Sequence, residues 1–76
     1  METKENRDKI HWLLKKNNLS QTWLMTRLEQ EKGIVVCKTV LSDTLRGVRK
    51  NQTAFQIIIA SQEILEDYEK WANKSG

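Results

Sequence analysis

Apolar residues recur along this chain at helical intervals, in runs broken by short polar or glycine-containing stretches. Residues 3–16 predict a first helix whose stripe is Ile10, Leu13 and Leu14, with Trp12 at its edge. Thr3 is positioned to cap it. Glu5 and Asp8 near its start and Lys15 and Lys16 near its end suit the helix dipole. Asn17-Asn18 is a stop, because asparagine tolerates the left-handed cap conformation. Ser20 caps a second helix running to about Glu31, with Leu19 as a hydrophobic staple toward Leu24. Its buried face is Trp23, Leu24 and Leu28, and Met25 fills gaps beside them.

Lys32-Gly33 closes the second helix. Ile34-Val35-Val36 are three consecutive β-branched residues, which a helix disfavours. They predict an extended linker with Ile34 and Val36 turned into the core; a short strand is the competing reading, without an evident partner strand. A third helix is expected over 38–46, ended by Gly47, with Leu41 and Leu45 inward and Val40 assisting. Residues 48–51 then form a basic loop. From Thr53, the expected cap, to Asn73 the pattern is helical without a breaker. Ala54, Ile57, Ile58, Ser61, Leu65, Tyr68 and Trp71 trace a face of nearly heptad spacing. Phe55, Ile59, Ile64 and Ala72 widen it. One long helix or two with a bend near Ala60–Gln62 both fit. Its second half either projects, leaving Ile64, Leu65, Tyr68 and Trp71 as an apolar strip for a partner, or folds back onto the first helix near Trp12.

With no proline and only three glycines, the chain has little strand or loop punctuation. The expectation is an all-α single domain over 1–76, of four or five helices, with a helix-turn-helix unit at about 20–47 and a C-terminal helical segment at 53–73. A chain of 76 residues buries only about 60% of its unfolded surface, so a homodimer or complex would help it. No apolar run reaches the 18 residues that a membrane span needs. METKENRDK is charged from the start and unlike a secretory signal, which leads to the expectation of an intracellular protein.

Charge is uneven. Residues 1–50 carry eleven Lys or Arg against six Asp or Glu, a balance of +5, and residues 51–76 carry two against four, a balance of −2. A basic front suits a polyanion, although it also suits a merely solvated surface. Enzyme chemistry has little to work with: one histidine, one cysteine and no glycine-rich phosphate loop. Glu66, Asp67 and Glu69 read as a solvated face, and Cys37 as a small packed residue. No cofactor and no metal site is expected. The tryptophans, on three different helices, read as core rather than as a platform for single-stranded bases.

What remains is the outer face of the third helix: Lys38, Thr39, Ser42, Asp43 and Arg46. Lys38 and Arg46 can pair with guanine O6 and N7, Thr39 and Ser42 can bond base edges, and Asp43 can accept from cytosine N4. Asp43 would also repel the DNA backbone. Arg49 and Lys50 suit phosphates flanking the groove. Arg7, Lys9 and Lys15 are weaker phosphate candidates, each more readily read as a solvated charge.

The S-Q-x-x-L that begins the second helix and the V-L-S-D-T-L-R-G-V-R that ends the third resemble the Cro/lambda-repressor-like helix-turn-helix family. The resemblance covers about residues 10–50 and rests on Gln21, Leu24, Leu41, Ser42, Leu45, Gly47 and Arg49. It implies a phosphate contact for Gln21. Around Glu29–Val36 the chain is several residues longer than the compact family pattern, which implies a longer second helix and a looser turn. The K-G-I-V-V-C-K-T-V-L-S stretch and the small size are similar to the modulator-of-repression proteins of temperate phages of Gram-positive bacteria. That resemblance implies a regulator in a lysis–lysogeny switch in the host cytoplasm. It would bind double-stranded operator DNA, the phage repressor, or both. The alternative is an antirepressor that only binds the repressor's DNA-binding domain, through the third-helix surface or the Tyr68–Trp71 tail. A small helical adaptor without a regulatory role is a third reading.

Overall fold

The computed structural model describes residues 4–75 and is all-helical, with no strand among the described residues. Its elements are α1 (Lys4–Lys16), α2 (Gln21–Lys32), α3 (Lys38–Arg46) and α4 (Gln52–Ser75). The expected cap Thr3 lies outside the described residues. The first two breaks are made by local chemistry. Asn18 takes the left-handed conformation with φ 56°, and the Leu19 amide donates back to the Leu14 carbonyl at 2.8 Å. Ser20 Oγ accepts from the Trp23 amide at 3.0 Å, satisfying one of the unpaired donors at the start of α2. Gly33, at φ 66°, closes α2, and its amide donates to Glu29.

The connection over 33–37 is extended, and its alternation is side-specific. Ile34 and Val36 pack against the core, while Val35 is 76% exposed. This spacer is longer than the three or four residues usual between the helices of a helix-turn-helix. α2 and α3 nevertheless pack on one another, and each also meets α4. α4 starts at Gln52, one residue before the expected Thr53, because Asn51 supplies the cap: its Oδ1 accepts from the Ala54 amide at 2.8 Å.

α4 is one uninterrupted helix of 24 residues, which spans about 36 Å at 1.5 Å per residue and accounts for the 37 Å long axis of the molecule. Its second half lies against α1 rather than projecting past the domain. Ile64 and Leu65 join Ile10, Leu13, Leu14, Leu24, Leu28, Leu41, Leu45, Ile57 and Ile58 in a single core. α4 is thus the spine on which α1, α2 and α3 all rest. Thr44 is buried at the back of α3 and donates to the Val40 carbonyl at 2.7 Å. Ser61 is buried too, but its hydroxyl finds no partner among the described residues. Ser61→Ala should therefore be neutral or stabilising by up to about 1 kcal/mol in a urea titration, since it removes an unsatisfied polar group.

No helix among the described residues is long and apolar enough to cross a membrane. The acidic half of α4 is used internally. Glu66 meets Lys9 at 3.5 Å, Glu69 bonds Lys16 and accepts from Asn17 Nδ2 at 2.9 Å, and Glu63 meets Lys32 at 2.9 Å. The Lys16 and then the Asn17 hydrogen bond hold the Glu69 carboxyl below its ordinary 4.5. For Glu66 the main cause is the bond donated by Gln62, followed by the charge of Lys9. A carboxyl whose pKa is lowered on folding stabilises the fold above its unfolded pKa, and that contribution disappears as pH falls through the lowered value. The melting midpoint should drop more steeply on acidification below pH 4.5 for the wild-type protein than for Glu69→Gln.

Candidate nucleic-acid interface

α3 sorts its side chains by helical period. Leu41, Thr44 and Leu45 face inward and are buried, while Lys38, Thr39, Ser42, Asp43 and Arg46 share the outer side. Gln21, at the first turn of α2, comes up beside them. The six line one open concavity of roughly 350 Å³ with a predominantly polar surface. The base-facing candidates of α3 and the phosphate candidate of α2 therefore lie together, although 16 residues or more of chain separate them.

Two arginines and one carboxylate set the electrostatics of this face. Arg46 Nη2 donates to Asp43 Oδ1 at 3.0 Å, and Arg49 Nε lies 3.7 Å from Asp43 Oδ2. The chain reverses between the two arginines at Gly47, φ 82°, whose amide donates to Thr44 at 3.1 Å while that of Val48 donates to Asp43 at 2.9 Å. Lys50 is exposed on the connection to α4. No ion pair among the described residues engages Lys38 or Lys50, whereas Lys9, Lys16 and Lys32 are neutralised by α4. Lys38 on α3 and Lys50 on the loop after it thus keep charge that no carboxylate of α4 pairs.

α1 braces the end of α3. His11 Nε2 donates to the Leu45 carbonyl at 2.9 Å, one of the acceptors a helix C-terminus leaves unpaired. The Arg7 guanidinium lies against Gly47, so close that a Cβ there would meet Nη1 at 2.3 Å. Arg7 is thus a packing residue of the α3–α4 turn rather than a phosphate contact, and Lys9 is tied to Glu66. Gly47→Ala should destabilise by about 1–3 kcal/mol through the left-handed backbone alone. Gly33→Ala, with the same strain but open space around it, serves as the control, and any excess in its denaturation midpoint measures the displaced Arg7.

The four residues considered for a protein partner do not form one exposed strip. Ile64 and Leu65 are buried in the core, Leu65 completely and Ile64 but for an edge on the groove below Tyr68 and Trp71. Tyr68 is half-buried, with Trp23 edge-on at 5.3 Å and Trp71 at 5.7 Å between ring centroids. Trp71 is 62% exposed and Trp12 57%, so these two tryptophans are surface residues and not the core residues expected from the sequence. Tyr68 and Trp71 line a groove of about 450 Å³ with Arg27, Glu31, Ile64 and Asp67. The aromatic row across α2 and α4 was invisible in the sequence, because it joins positions 23 and 68 through tertiary packing. Cys37 is exposed at the start of α3 rather than packed, and caps nothing with its side chain. No group of His, Cys, Asp or Glu among the described residues is arranged to hold a metal ion.

No protein-family model, curated protein or solved structure matches this chain.

Proposed function

We propose that this protein is a transcriptional regulator of the Cro-like helix-turn-helix type that binds double-stranded DNA through the outer face of α3, acting in a phage lysis–lysogeny switch in the cytoplasm of a bacterial host. It is a binding protein and not an enzyme. The observation that carries the reading is the convergence of Gln21, Lys38, Thr39, Ser42, Asp43 and Arg46 on one concave face, with Arg49 reaching Asp43 beside it. A major groove admits one helix, and short hydrogen-bonding side chains flanked by arginine and lysine are what base edges and phosphates require. A homodimer would set two α3 helices about 34–36 Å apart on a two-fold operator.

The test is selection of duplexes from a random-sequence pool, followed by titration of the winner at about 50 and 200 mM salt. A recovered consensus bound more weakly as salt rises supports the reading. Recovery of no sequence over background contradicts it. A second reading is an antirepressor that docks on the phage repressor. The exposed Trp71 beside Tyr68 favours it. In that case the protein alone would leave operator DNA unbound, would release it from the repressor, and would lose this effect on Trp71→Ala.

A further inference from the structure

Asp43 is the anomaly of the α3 face. A carboxylate there opposes phosphate binding, and an exposed ion pair of this kind adds little to the fold. Yet its side chain is only 22% exposed, whereas Arg46 above it is 63% exposed and Arg49 is 43%. The two oxygens are divided between the two arginines, Oδ1 toward Arg46 and Oδ2 toward Arg49. Asp43 is therefore not free to read a cytosine, and what it does is orient its neighbours. A guanidinium carries five N–H donors, and Asp43 Oδ1 takes one at Nη2. The others remain for the paired O6 and N7 acceptors of guanine. An arginine already held in the free protein has less rotamer freedom to lose on meeting the base.

We infer that Asp43 is a specificity-determining positioning residue, whose carboxylate holds the Arg46 fork for a guanine edge in the major groove of double-stranded DNA. The inference rests on the DNA-binding reading above. It separates two effects of one side chain that have opposite signs. Loss of the carboxylate removes a charge that repels every phosphate, which strengthens binding to any duplex. It also frees Arg46, which weakens binding only where a guanine is read.

The experiment compares wild type, Asp43→Asn, Arg46→Ala and the double variant on two probes: the duplex recovered by selection with the wild type and a scrambled duplex of the same composition. Circular dichroism confirms that each variant is helical. Asp43→Asn should lower the ratio of selected to scrambled affinity by about 2- to 12-fold, the cost of ordering one freed arginine side chain on the base. In the Arg46→Ala background the same change should leave that ratio unaltered. Asp43→Glu keeps the charge but shifts the acceptor by one methylene, so it should lower the ratio as well, and it carries the test if the asparagine variant fails to fold. Equal tightening on both duplexes by Asp43→Asn, with Asp43→Glu at the wild-type ratio, would overturn the inference by reducing Asp43 to a repulsive charge. Selection that recovers no duplex with the wild-type protein overturns the DNA reading itself, a result distinguishable from the former because no ratio then exists.

Discussion

Leu65→Ala is expected to remove a large share of the protein's stability. Leu65 is fully enclosed on α4, where α1 and α2 close over the helix. Truncating such a leucine costs about 2–5 kcal/mol, from lost transfer energy and from the cavity left behind. A chain of 76 residues has only about 4–11 kcal/mol of stability at 0.05–0.15 kcal/mol per residue, so the loss is a large share of the whole. Chemical denaturation followed by circular dichroism checks it. A shift of the midpoint equivalent to less than about 1 kcal/mol would mean that α4 does not rest on the core as described. The same variant separates fold from recognition. Because Leu65 is inside, any loss of partner binding on its truncation must accompany loss of helix, unlike a loss caused by Trp71→Ala at the surface.

Arg46→Ala is expected to leave the fold intact and to weaken binding to a selected duplex by about 1–3 kcal/mol, a factor of roughly 5 to 150. Arg46 is exposed, and its bond within the protein, to Asp43, is a surface pair worth little to stability. Its guanidinium is exposed on the polar face at the end of α3, and a paired contact of arginine with guanine is the commonest specific contact a side chain makes in the major groove. Lys50→Ala serves as the comparison. It should weaken selected and scrambled duplexes about equally and reduce the salt slope by about one. Competition titrations with the two duplexes read both effects. An Arg46→Ala protein that discriminates as well as the wild type would remove Arg46 from the base-reading set.

Much of this architecture follows from local rules. Gly33 and Gly47 mark two helix ends because the backbone there turns left-handed, and Asn18 does the same between α1 and α2. The outer face of α3 follows from the period set by Leu41 and Leu45, and the linker from the conflict between β-branched residues and a helix. Where local rules compete, the sequence is less decisive. Asn51 and Thr53 can both cap α4, and the hydrogen bond from Ala54 selects Asn51. The continuity of α4 depends on α1, α2 and α3 packing against it, and no periodicity within residues 52–75 contains that information. The same holds for the pairing of the α4 carboxylates with Lys9, Lys16 and Lys32, which turns an apparent acidic tail into part of the scaffold. Within the candidate site, the Asp43–Arg46 pair is legible at i, i+3. The approach of Arg49 is not, because it depends on how the chain reverses at Gly47.

Contact between the α3 face and DNA is read residue by residue by amide chemical-shift mapping. ¹⁵N-labelled protein would be titrated with the duplex it selects. If α3 enters the groove, the shifts concentrate at Gln21, Lys38, Thr39, Ser42, Arg46, Arg49 and Lys50, leaving Tyr68 and Trp71 unmoved. Shifts centred on Tyr68 and Trp71, or none at any residue, would contradict it.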